Sequence, residues 1–158
     1  MPFLRNGERF PQLEILAVGG GTIVLPNDQS GSYGVVLIYR ESWCPYCRAQ
    51  LASFNRAASA LEEVGVKVIA LSVDDEATAT ALVEKHDLKF PVGHSADAPK
   101  IGTMTGAYLR HDPLYLQSTG FILNPDGTVL TAVYSSDAIG RLLAEDVVGF
   151  VRCAKSHA

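Results

Sequence analysis

An α/β fold built on one mixed sheet is what the sequence predicts, and three observations carry that reading. Residues 34–39 (GVVLIY) and 66–73 are short, continuous apolar runs rich in β-branched side chains, the composition of strands covered on both faces. Between them the apolar residues recur at helical spacing, giving a strand–helix–strand unit that suits a parallel pair. Two further apolar runs flank Pro125-Asp126-Gly127, whose residues make tight turns, and a last helical stripe follows.

Each element has its own justification. Residues 13–18 and 22–25 flank Gly19-Gly20-Gly21 and read as an N-terminal hairpin. Cys47, Leu51, Phe54, Ala58, Leu61 and Val64 form one stripe, so a helix is expected up to Gly65, a suitable C′ residue. Residues 76–86 read as a second helix capped by Asp74 or Asp75. Asp97-Ala98-Pro99 has the cap and first-turn proline of a short third helix. Residues 120–124 and 128–134 are the strands of the C-terminal hairpin. Ile139, Leu143, Val147 and Phe150 are expected to be the inward stripe of the terminal helix.

Bulk properties bound the function. The 158 residues are 47% hydrophobic and 19% charged, a globular balance, and no repeat or linker divides them, so residues 1–158 are expected to form one domain. A net charge of −4 argues against a nucleic-acid partner, which needs clustered Lys and Arg. No apolar run approaches the roughly 20 residues of a membrane span. The first residues lack the basic stretch and apolar core of a secretory signal, so a cytoplasmic location is expected. Three cysteines do not make a disulfide framework, and in a reducing compartment a close pair points to catalysis or metal binding.

The pair is Cys44 and Cys47, in Trp43-Cys44-Pro45-Tyr46-Cys47. It follows a buried strand and opens a helix, with Pro45 at the first helical position, which puts Cys44 at the N-cap. There the free backbone N–H groups and the helix dipole favour a thiolate and lower its pKa. Arg40 and Arg48 could add positive charge; Glu41 would oppose them if it faced the sulfur. Cys47, one turn on and facing inward, is expected to be the less exposed resolving thiol, with Cys44 attacking first. Trp43 and Tyr46 would form an apolar rim for a docking partner. The competing readings are half of a zinc site, which Cys153 and His157 could complete only by reaching this loop, and inert cysteines in an interaction module. No cofactor and no metal is expected. His86, His94 and His111 lack metal spacing, although His94 could lie near the functional end of the sheet, and Arg110 is a further candidate for stabilising a thiolate or peroxide.

At these residues the chain resembles the thioredoxin-like superfamily, and in particular its peroxiredoxin-like alkyl hydroperoxide reductase/thiol-specific antioxidant branch. The resemblance runs through residues 7–11 (GERFP), 39–48 (YRESWCPYCR), Phe90-Pro91-Val92 with Ser95-Ala96-Asp97, and 121–127 (FILNPDG). It implies a thioredoxin-like fold, a central mixed sheet flanked by helices, with an N-terminal hairpin and a helical insert around residues 75–117. It also implies a thiol-dependent oxidoreductase in antioxidant defence that reduces hydroperoxides. The alternative is a general thiol-disulfide reductase. The implied partners are a hydroperoxide or disulfide substrate, a thiol reductant such as thioredoxin or glutathione, and a homodimeric second copy. The pattern departs from the branch at several positions. Glu41 stands where a Thr or Ser aids peroxide binding, with Ser42 one residue out of register; Leu37 replaces the motif's proline and Ser118 the later arginine. The thioredoxin cis-proline position falls on Thr119 and its buried acid on Ile38.

Overall fold

The computed structural model describes residues 3–157. A seven-stranded sheet runs in the order β2-β1-β5-β4-β3-β8-β9. Its strands are β1 (Leu13–Ala17), β2 (Thr22–Leu25), β3 (Tyr33–Ile38), β4 (Val66–Leu71), β5 (Val92–His94), β8 (Thr119–Leu123) and β9 (Val129–Tyr134). β3, β4 and β5 are mutually parallel, and β1, β8 and β9 join antiparallel, so the sheet is mixed as expected. A separate ribbon pairs β6 (Leu109–Arg110) with β7 (Tyr115–Leu116).

Alternation along β3 explains the two-sided core. Val35, Leu37 and Tyr39 point to one face, where they meet Leu51 and Phe54 of α1 (Pro45–Arg56), Leu61 of α2 (Ala58–Glu63), Leu82 of α3 (Glu76–His86) and Val147 of α5 (Ala144–Ser156). Val36 and Ile38 point to the other, against Ile101 of α4 (Ala98–Thr105) and Leu116 of the ribbon. A strand buried on both sides has no polar face to alternate with, hence the unbroken apolar run.

Asp97 accepts from Lys100 N–H at 3.1 Å and starts α4; Asp75, not Asp74, caps α3 by accepting from Thr78 N–H at 2.8 Å. Three expectations need correction. The helix foreseen over residues 47–64 is two helices meeting at Ala57, although the buried stripe runs on through Leu61 and Val64. The insert is not only helical: it supplies β5, an interior strand of three residues, and the β6–β7 ribbon. Finally, the inward stripe of α5 is Ala144, Val147 and Val151. Ile139 precedes the helix, Leu143 is its extended N-cap, and both are exposed, as is Phe150.

Candidate active site

The chain leaves the sheet at Tyr39, whose N–H still donates to Leu71 O at 3.0 Å. Residues 40–43 cross the end of the sheet, and Cys44 then caps α1. Its sulfur accepts the Cys47 N–H at 3.4 Å, and Pro45 occupies the first turn where no N–H is needed. Both cysteines are free thiols and both are 0% exposed, so enclosure alone does not separate them. Trp43 and Tyr46, which flank Cys44 in the sequence, are about half exposed. Trp43 also packs edge-on to Tyr115, ring centroids 5.8 Å apart.

Two guanidinium groups reach the sulfurs. Arg40 donates from Nη1 to Cys44 Sγ at 3.6 Å and from its backbone N–H to Cys47 Sγ at 3.2 Å. Its Nη2 donates to the Tyr115 hydroxyl at 2.8 Å, and the group lies over the Trp43 and Tyr115 rings. Arg141 donates from Nη2 to Cys47 Sγ at 3.2 Å and to Cys44 Sγ at 3.7 Å. Gln50 orients it, accepting from Arg141 Nη1 at 3.0 Å while donating to Leu142 O at 2.9 Å. Gly120 makes room for this segment: a Cβ there would lie 2.9 Å from Leu142 Cβ.

The electrostatics set the two thiols apart. Burial pushes Cys44 upward, but the hydrogen bonds from the Cys47 side chain and backbone, with the charges of Arg141 and Arg40, outweigh it and lower its pKa below 9.0. Burial and the hydrogen bond to Cys44 raise that of Cys47. Cys44 is therefore the thiol that ionises first.

Other residues singled out in the sequence stand elsewhere. Arg48 turns back on the loop, donating to Ser42 O at 3.0 Å and Trp43 O at 3.1 Å, so it braces the backbone rather than the sulfur. Glu41 is half-buried and its charge falls on Asp74. The Ser42 backbone N–H donates to Asp74 Oδ2 at 2.9 Å. Thr119 is buried at the start of β8 opposite Ile38, its hydroxyl donating to Gln117 O at 3.1 Å. Arg110 is exposed on the ribbon, paired across it with Tyr115. His94 is buried at the end of β5, with Ser95 Oγ 2.8 Å from Nδ1 and Glu76 Oε2 3.7 Å from Nε2. Cys153 and His157 lie together near the end of α5. Among the described residues no three His, Cys, Asp or Glu side chains gather with metal-binding geometry.

Arg141, Gln50, Tyr115 and Asp74 are the site residues that sequence reasoning misses. Gln50 alone carried a local signal, three residues beyond Cys47 on the same helix; Arg141 is 94 residues from Cys47.

The AhpC/TSA family model matches residues 6–132. The chain belongs to the AhpC/TSA family. As a member it is a thiol-dependent oxidoreductase. It is 29% identical to a peroxiredoxin of Treponema denticola over 93% of this chain and 71% of that protein. It is also 29% identical to the thiol-disulfide oxidoreductase ResA of Bacillus cereus, over 94% of this chain and 78% of that one. In fold it resembles Mycobacterium tuberculosis AhpC, with a TM-score of 0.83 at 18% identity, covering 99% of this chain and 96% of that chain. Arg141 lies beyond the segment that the AhpC/TSA pattern matches.

Proposed function

We propose that the chain reduces small hydroperoxides by cycling Cys44 and Cys47 between dithiol and disulfide. The observation that carries this reading is the unequal pair: a lowered Cys44 thiol at a helix N-cap, between Arg40 and Arg141, beside a raised Cys47. The Cys44 thiolate attacks the terminal peroxide oxygen and the O–O bond breaks, so that Cys44 becomes a sulfenic acid. The other oxygen leaves as alkoxide or hydroxide and takes up a proton from solvent, replacing the one lost when Cys44 ionised, to give alcohol or water. Cys47 then attacks the Cys44 sulfur; its proton and the hydroxyl leave as water, and a disulfide forms. An external dithiol or two thiols, of the thioredoxin or glutathione type, return both cysteines to the reduced state. The enclosure of the sulfurs favours a peroxide-sized substrate. A second reading, reduction of protein disulfides, is favoured by the exposed Trp43 and Tyr46, which offer a docking rim.

The same reading takes residues 1–158 as one domain, active in the cytoplasm and able to pair with a second copy. No described helix is long and apolar enough to cross a membrane.

The test mixes reduced protein with hydrogen peroxide, and separately with glutathione disulfide or an oxidised protein, and follows Cys44–Cys47 bond formation by mass. Fast oxidation by peroxide, lost in Cys44→Ser, is the expected result. Oxidation by disulfides alone would transfer the assignment to the second reading, and no reaction with either would overturn both.

A further inference from the structure

The segment that carries Cys44 from β3 to α1 has no regular structure, so its shape depends on what grips it. Arg48 holds the Ser42 and Trp43 carbonyls, and the Cys44 N–H donates to Glu41 O at 3.1 Å. The third grip is Asp74, whose Oδ2 accepts the Ser42 N–H at 2.9 Å. Asp74 is itself fixed: its N–H donates to Ser72 Oγ at 3.1 Å and its carbonyl accepts from Ser95 N–H at 2.7 Å.

This carboxyl is in an unfavourable place for a charge. It is 6% exposed, and among the described residues no ion pair includes it. Glu41 on the loop and Asp75 at the start of α3 add negative charge, and Tyr39, just past the end of β3, lies within reach of its field. Ser42 N–H and Ser72 are the groups that favour its ionised form, while Arg48 spends its hydrogen bonds on the Ser42 and Trp43 carbonyls and His94 acts on Asp75. Burial thus raises the Asp74 pKa from 3.8 to about 6. A buried charge that stability would discard points to a role in the chemistry.

We propose that Asp74 is a positioning residue for Cys44: its ionised carboxylate, by holding the Ser42 N–H, fixes the direction in which the loop presents the sulfur to Arg40, Arg141 and the start of α1. The inference rests on the reading of Cys44 as nucleophile. A charged acceptor holds an N–H more strongly than a neutral one, so protonation loosens the loop. Cys44 reactivity then falls at low pH by more than its own loss of thiolate requires.

The test uses the full chain carrying Cys153→Ser, which removes the exposed thiol. Alkylation by iodoacetamide and oxidation by hydrogen peroxide are followed across pH, and each rate is divided by the thiolate fraction read from its ultraviolet absorbance. Wild type is expected to show a further rise of about tenfold through the Asp74 titration, the effect of about 1.4 kcal/mol on a barrier. Asp74→Asn keeps the shape and an acceptor but no charge; it should remain at the lower level throughout. Asp74→Glu keeps the charge and should keep the step. A corrected profile for Asp74→Asn that overlays wild type, or loss of the step in Asp74→Glu, would overturn the proposal. A step seen with iodoacetamide when neither peroxide nor disulfide reacts would retain the positioning role and reject the proposed function.

Discussion

Arg141 and Arg48 are both arginines near the dithiol, yet they act on different atoms. Arg141 places Nη2 within 3.7 Å of both sulfurs, whereas Arg48 spends its contacts on the Ser42 and Trp43 carbonyls. Arg141→Met is therefore expected to raise the pH at which Cys44 ionises and to slow its alkylation near neutrality by about tenfold, the effect of about 1.4 kcal/mol on a barrier. Arg48→Met should leave that pH unchanged. The check is the iodoacetamide rate against pH for each variant; equal shifts would refute the distinction. The same contrast marks how far residues can be read without coordinates. Cys44, Cys47, Trp43 and Tyr46 announce themselves because a helix N-cap is a local structure, fixed by neighbours in sequence. Arg141 reaches the site through the packing of Leu142 over Gly120 and a bond from Gln50, and no pattern around residue 141 encodes that route.

At the scale of elements, strands were more legible than helix faces. The apolar runs of β3 and β4 needed only composition, since both faces are covered. β5 left almost no signal because three residues, Val92-Gly93-His94, are too short to show a period. In α5 the strong apolar residues misled. Ile139, Leu143, Val147 and Phe150 mimic a stripe, but the helix begins at Ala144, which shifts the buried line to Ala144, Val147 and Val151. Small side chains hold two of the contacts usually assigned to large ones. Val147→Ala is accordingly expected to lower stability by about 2 kcal/mol, and Phe150→Ala, at an exposed site, by less than about 1 kcal/mol. Urea unfolding of the two variants decides it, and the reverse order would return α5 to the phase expected from sequence.

For the whole molecule, Asp74 ties stability to pH in the direction opposite to a paired carboxylate. Its pKa is raised on folding, from 3.8 to about 6, so in that window the native state holds more protons than the unfolded chain. Its contribution to stability is present at low pH and is lost as pH rises through about 6, by at most about 3 kcal/mol. Asp74→Asn removes that slope. The variant should match wild type near pH 4 and exceed it at neutral pH by about 1–3 kcal/mol in urea unfolding. Other carboxylates titrate in both proteins, so the difference between the two curves is the quantity to compare. A difference that does not grow with pH would refute the linkage. A chain that is more stable and less reactive after one substitution would show directly where this fold gives up stability for chemistry.

The cap at Cys44 has a thermodynamic corollary. The Cys47 N–H, Arg40 and Arg141 favour the thiolate form of the Cys44 sulfur, and in the proposed cycle that stabilisation belongs to the reduced protein. Closing the disulfide removes the negative charge and gives it up. Whatever steadies the thiolate therefore also makes the disulfide a stronger oxidant, by about 30 mV for every 1.4 kcal/mol. Under the proposed function, the features that favour attack by Cys44 thus also ease the return of electrons from a reductant, so one helix end would serve both halves of the cycle.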